Sequence, residues 1–142
     1  MGRSRTANLE THLENRLNSA APVVLGLFRI VIGFMFFLHG STKLFGWPVS
    51  TAPTTPLGAW PGWHSAVIEL IVGLLVCTGL ATRIAAFIGS GEMAAAYFWV
   101  HQPKGALPIA NGGELAALYC WALFLLVFVG GGAFALDHLR RR

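Results

Sequence analysis

The chain has 142 residues, of which 55% are hydrophobic and 11% charged, and its mean hydropathy is +0.62. Soluble domains carry roughly 25% charged residues, so this balance excludes a disordered chain, a nucleic-acid-coating domain and an ordinary soluble enzyme. It leaves a small integral membrane protein. The net charge of +4 does not point to nucleic acid, because six of the ten Lys and Arg residues lie in the tails, at Arg3, Arg5, Arg16, Arg140, Arg141 and Arg142. Basic flanks on apolar spans mark cytoplasmic ends.

In chain order, residues 1–21 form a cytoplasmic or interfacial segment. Leu9, Leu13 and Leu17 recur every four residues among Glu10, Glu14 and Arg16, which predicts a short amphipathic helix resting at the membrane surface. A first apolar span covers about 22–40, with Pro22 at a helix start where its missing N–H costs nothing. It follows some twenty residues and lacks a small-x-small cleavage site, so it reads as a retained span and not a signal peptide. On it, Gly26, Arg29, Gly33, Phe36, Gly40 and Lys43 share an arc roughly 100° wide. Glycines there admit a second helix and turn both cations toward protein. The connection 44–62 carries Pro48, Pro53, Pro56 and Pro61 with Trp47 and Trp60. Prolines forbid a further span and tryptophans suit the headgroup level, which leaves an ordered cap or shallow re-entrant loop on one side and a mobile loop with interfacial anchors on the other as equal readings.

The second and third spans, about 64–81 and 83–100, meet at a tight turn. A fourth covers 112–136, and a basic tail, 137–142, follows. Each span approaches the roughly 20 residues that cross a bilayer as a helix. Seven Lys and Arg residues fall on the side of the tails and the 82–83 turn, against Lys43 and Lys104 on the other. The expected fold is therefore all-α: a four-helix transmembrane bundle over 22–136 with both termini cytoplasmic.

A charge at mid-bilayer costs roughly 2.5–3.5 kcal/mol on insertion scales, so the ionisable groups in or near the spans carry the most information. Counting 1.5 Å per residue from the span ends puts Arg29 and Glu92 at similar depth and predicts a buried Arg29–Glu92 ion pair. The same arithmetic gathers His39, Lys43, Glu69, His101, Asn111 and Glu114 near the outer surface as a candidate ligand or proton site. Glu69 and Glu114 are its candidate proton carriers. The competing reading gives these groups only the task of fixing helix register. His12, His64 and His138 read as interfacial bystanders. Cys77 and Cys120 sit at depths too different for a disulfide and lack metal-ligand spacing, so no metal is expected.

Taken together, Arg29-x3-Gly33, His39-Gly40-x2-Lys43-Leu44, Glu69-x3-Gly73, Gly79-Leu80-x-Thr82-Arg83, Asn111-Gly112-Gly113-Glu114 and Gly130-x-Gly132 before Leu136-Asp137 resemble the DoxX family of small bacterial membrane proteins over nearly the whole chain. The resemblance implies a multi-pass protein of the bacterial cytoplasmic (inner) membrane. It also implies a link to quinone- or sulfur-linked redox complexes, with a superoxide dismutase or a sulfurtransferase as partners. The family supplies no settled catalytic residues.

Two functions follow as expectations. One is a redox-complex membrane subunit whose outer-half polar cavity binds a quinone or a small sulfur species. The other is a non-catalytic scaffold packing laterally in a larger membrane assembly, with homo-oligomerisation open to either; a small transporter is a third. No haem-ligand pair, Fe–S cysteine set or dinucleotide fingerprint occurs, so no intrinsic cofactor is expected beyond a quinone. The partners expected are the lipid bilayer and other redox proteins, without nucleic acid.

Overall fold

The glycine and proline punctuation of the sequence governs where its helices stop. A computed structural model describes residues 2–50 and 52–141, and the side chains of 7–50 and 52–139. The tail arginines Arg3, Arg5, Arg140, Arg141 and Arg142, which weighed on orientation, lie outside the described side chains. The chain is all-helical among the described residues.

Helix α1 runs from Gly2 to Phe45, 44 residues in all, with Pro22 inside it. At 1.5 Å per residue it is about 66 Å long. The amphipathic segment is therefore not a separate surface helix but the first part of α1, and every described residue from 7 to 24 is exposed. Proline removes an amide hydrogen and crowds the carbonyl four residues back. The helix nonetheless passes through it, and the Pro22 carbonyl accepts a hydrogen bond from Ala133 N at 2.7 Å.

Helix α2 spans Gly62–Thr78 and ends at Gly79, whose φ of 74° is left-handed. Its N–H donates to Leu75 O while Leu80 N also reaches Leu75 O, a glycine-dependent helix stop. Helix α3, Thr82–Ala96, begins three residues later and passes into a π-helical turn, Tyr97–His101. A short 3₁₀ turn, Gln102–Lys104, and the four-residue α4, Pro108–Asn111, lead to α5, Glu114–Val129. The fourth span was expected to reach 136. It stops instead at Gly130, where φ is 82°, because three successive glycines favour the open turn over helix. The supposed tail also holds structure: Leu136–Arg141 forms a 3₁₀ turn.

The helices pair antiparallel. On α1, Gly33 lies against the Gly73 and Cys77 backbone of α2, and Gly40 against Ala66 and Leu70. Helix α3 packs along α5, where Ser90 Oγ donates to Cys120 O at 2.9 Å, and α2 also touches α3. The 46–61 connection folds back on α1 over its described residues, with Thr55 N donating to Lys43 O at 2.8 Å.

The distribution of polarity is inverted relative to a soluble protein. Arg29 is 0% and Glu69 2% exposed, whereas Leu27, Val31, Ile71, Phe87, Trp121 and Phe128 all face outward. Contiguous apolar surface of that extent belongs against lipid or protein. By length and composition one helix, Ala7–Phe45, suffices to cross a membrane; α2 and α5 are apolar but have 17 and 16 residues.

Candidate functional site

The buried polar groups separate to the two ends of the packed helices. At the end holding the α2–α3 turn, Arg29 does not meet Glu92. Its Nη1 donates to Val76 O at 2.7 Å and Cys77 O at 2.5 Å, its Nε to Gly131 O at 2.7 Å, and its Nη2 to Ala133 O at 3.3 Å. The guanidinium thus clamps the last carbonyls of α2 to the segment that follows α5. Such carbonyls are unpaired within their own helix and carry the negative end of its dipole. The expected ion pair fails because depth was counted from Pro22, whereas the antiparallel register of α1 on α2 sets the level. Arg29 lies one turn from Gly33, hence opposite the end of α2, while Glu92 lies ten residues up α3 from Thr82, about 15 Å away.

Asp137 completes this knot. Its carboxylate accepts from Ala81 N at 2.7 Å and from Thr82 N and Thr82 Oγ1, both at 3.0 Å, capping the start of α3 from a distant part of the chain. Arg83 does for α5 what Arg29 does for α2, donating to Val127 O and Phe128 O at 2.5 and 2.7 Å.

The opposite end holds a cavity of about 190 Å³. Of the residues gathered from the sequence, His39, Lys43, Glu69 and His101 line it, joined by Ser65 and Tyr119. Lys43 Nζ lies 2.6 Å from Glu69 Oε1, with the lysine 40% and the glutamate 2% exposed. Glu92 turns toward this end, not toward Arg29: its Oε1 accepts from Ser65 Oγ at 2.6 Å, and the same hydroxyl lies 3.5 Å from Glu69 Oε1. One hydroxyl hydrogen therefore stands between two carboxyl groups. The Tyr119 ring meets His39 edge-on, centroids 5.6 Å apart, and lies 5.3 Å from that of Phe36.

Two sequence candidates fall outside the cavity wall. Asn111 is buried beside it, where its side chain holds the turn by bonding Gly105 O and Gly113 N, both at 2.8 Å, and its carbonyl faces His101 Nδ1 at 3.2 Å. Glu114 is exposed in the first turn of α5, a position that favours an acidic side chain through the helix dipole.

Sequence reasoning missed Ser65 and Tyr119. Ser65 was legible, since it stands four residues before Glu69 on the same helical face. Tyr119 was hidden in an apolar run.

Three buried side-chain atoms among the described residues find no hydrogen-bond partner: Glu69 Oε2, Glu92 Oε2 and Tyr119 Oη. All belong to this end of the molecule. A larger cleft of about 880 Å³ at the other end, bordered by Pro22, Arg83, Gly131 and Asp137, contains none of them. Cys77 and Cys120 are both free, and no group of three or more His, Cys, Asp or Glu suited to a metal occurs among the described residues.

Comparison with known proteins places these features in a family. The DoxX family profile matches residues 24–102, which include Arg29, Lys43, Glu69 and Glu92. An uncharacterized protein of Haemophilus influenzae is 46% identical over 128 residues, covering 87% of this chain and 96% of the relative. A Bacillus subtilis protein named "Putative oxidoreductase CatD" is 29% identical over 123 residues, covering 85% of this chain and 90% of that one. No solved structure matches. With more than half its length matched and a close relative covered almost end to end, the chain belongs to DoxX, a family of membrane proteins.

Proposed function

We propose that this chain is a four-helix transmembrane subunit of a redox assembly in the bacterial inner membrane, with both termini cytoplasmic. Its outer-half cavity, beside Lys43 and Glu69, receives a quinone headgroup or a small sulfur compound. The inverted polarity of the helices and the excess of Lys and Arg on the side of the α2–α3 turn support the multi-pass arrangement. The name of the Bacillus subtilis relative supports oxidoreductase chemistry for the assembly. Electrons would be exchanged with partner proteins, for which the family resemblance suggests a superoxide dismutase or a sulfurtransferase.

One observation favours a ligand site over a purely structural role. A buried charge retained for architecture is satisfied by its surroundings, and Arg29 is, through four carbonyls. The outer cluster instead leaves Glu69 Oε2 and Tyr119 Oη unpaired, and both residues line one cavity. With a liquid-water share of about 30 Å³ per molecule, its 190 Å³ suits a few waters or a single-ring headgroup.

The residues fit such a headgroup. Lys43 and His39 supply polar contacts at the rim, Phe36 and Met93 apolar walls, and Tyr119 a hydroxyl. A bound quinone would supply two-electron carrier chemistry. The chain's own part is to orient the ring and to hold protons at the Glu69 and Glu92 carboxyl groups.

The test is substitution in native membranes. Lys43→Ala and Glu69→Gln should lower quinone-dependent activity of the assembly at least tenfold, with protein abundance unchanged by immunoblot. Silent substitutions, or abundance falling in step with activity, would reverse the conclusion in favour of a scaffold. Reporter fusions at both termini test the topology independently.

A further inference from the structure

The larger cleft, about 880 Å³ beside the α2–α3 turn, takes no part in the site above. Its volume falls within the roughly 300–1,000 Å³ usual for ligand sites. Pro22 and Leu25 of α1 and Leu125 and Val129 of α5 line it, and Arg83 and His138 border it. Leu125 and Val129 stand one turn apart on one face of α5. They are 49% and 46% exposed, and Ile84, next to Arg83, is 69% exposed. The apolar wall therefore continues into the outward-facing surface of the helices.

Arg83 is fixed in place but only partly used. Its Nη1 donates to the Val127 and Phe128 carbonyls at the end of α5. The guanidinium lies across Gly130, where a Cβ would stand 3.2 Å from Nη2. Nε and Nη2 have no hydrogen-bond partner among the described residues, and the side chain is exposed. The Nε–Nη2 edge is a planar fork that can take two oxygens of one phosphate group. Asp137 also borders the cleft, but it turns its carboxylate onto Ala81 N, Thr82 N and Thr82 Oγ1.

A pinned cation with an open fork, set at a helix end above apolar walls, matches a molecule with an anion at its head and hydrocarbon behind it. We propose that this cleft binds an anionic glycerophospholipid of the cytoplasmic leaflet. Its phosphate sits on the Nε–Nη2 edge of Arg83 and one acyl chain lies between α1 and α5. The choice of leaflet rests on the topology proposed above; the ligand class does not. A soluble anion would leave the apolar walls wet. A zwitterionic headgroup would bring an ammonium beside the guanidinium. Arg140, Arg141 and Arg142 follow His138 closely in sequence, and such basic clusters favour negative headgroups.

Native mass spectrometry of the full-length protein in detergent, titrated with lipids of identical acyl chains, counts bound lipids one at a time. Phosphatidylglycerol should occupy one saturable site about tenfold more tightly than phosphatidylcholine, and glycerol phosphate should not saturate it. Arg83→Gln should remove that preference, and Arg83→Lys should restore only part of it, because an ammonium lacks the fork. Leu125→Trp leaves Arg83 in place and narrows the groove. It should weaken phosphatidylglycerol about tenfold with helix content by circular dichroism unchanged.

Equal affinity for the two lipids overturns the proposal, as does an affinity for phosphatidylglycerol that either Arg83→Gln or Leu125→Trp leaves unchanged. Glycerol phosphate binding as tightly as the lipid would assign the cleft to a soluble anion, and a dimer that excludes lipid would assign it to a second copy of the chain; both overturn it. Reporter fusions at the termini separate this result from the topology. Lost selectivity with both termini cytoplasmic removes the lipid site alone. Termini found outside overturn the topology and, with it, the leaflet.

Discussion

Replacing Arg29 by methionine keeps most of the side-chain volume and removes every donor. Four backbone carbonyls at the end holding the α2–α3 turn then lose the guanidinium as donor, three of them at 2.7 Å or less. Hydrogen bonds between membrane-embedded groups average about 0.6 kcal/mol in double-mutant cycles and reach about 1.7. The three short bonds together are therefore worth about 2–5 kcal/mol, and the 3.3 Å contact adds little. A fold of this length has roughly 0.05–0.15 kcal/mol per residue in reserve, so the Arg29→Met protein should fold but unfold markedly earlier. Equilibrium unfolding in mixed micelles, followed by circular dichroism, measures the difference. Arg29→Lys should recover only part of it, because one ammonium cannot span the fork that joins α2 to residues 131–133. A loss below about 0.5 kcal/mol, within the scatter of ordinary surface substitutions, would refute the clamp. A double-mutant cycle with Glu92→Gln adds a second criterion: groups about 15 Å apart should couple by less than about 0.5 kcal/mol. Coupling of 2 kcal/mol would restore the direct ion pair and remove the register argument.

Asp137→Ala should cost about 1–2 kcal/mol, the usual worth of a helix cap, in the same unfolding assay. Gly33→Ala should destabilise by about 1–3 kcal/mol through overpacking, since a Cβ there would stand 2.7 Å from Cys77 Cα. Gly91→Ala, with nothing within 4 Å of its Cβ position, should instead stabilise by up to about 1 kcal/mol through helix propensity.

Much of this molecule can be read without coordinates, and the parts that cannot have definite causes. The glycine face of α1 was legible because residues three and four apart must share a side of a helix, and Gly33 and Gly40 do meet α2. The gathering of His39, Lys43, Glu69 and His101 was legible from depth alone, since all lie near the same end of their helices. Depth failed for Arg29 because α1 has no start at Pro22 from which to count, and the register of one helix on another is a tertiary property. It failed for Glu114 because the first residue of a helix can point away from the bundle whatever its level. Asp137 escaped for another reason. A residue after a predicted span reads as tail, and only the break at 130–135 brings it back under α3.

The π turn shows how narrow the margin between a bland wall and a chemical one is. Met93 and Ala96 line the cavity from α3. An uninterrupted α-helix would place Val100 next on that face, seven residues after Met93 and four after Ala96. The wider turn at Tyr97–His101 delays the repeat by one residue, so His101 lines the cavity and Val100 is left 44% exposed. A single-residue slip of this kind costs some hydrogen-bond quality and is found most often where a side chain must be re-aimed. The end holding the α2–α3 turn shows the opposite economy: Arg29, Arg83 and Asp137 all spend their polar atoms on helix termini. Irregular backbone at depth is tolerated where it lines a cavity. The irregular elements on the described part of α3 and its continuation, the π turn and the 3₁₀ turn after it, stand beside the three unpaired polar atoms and not beside the knot. The unspent polarity of the side chains therefore collects at one end of the molecule, which is the physical ground for placing a ligand there.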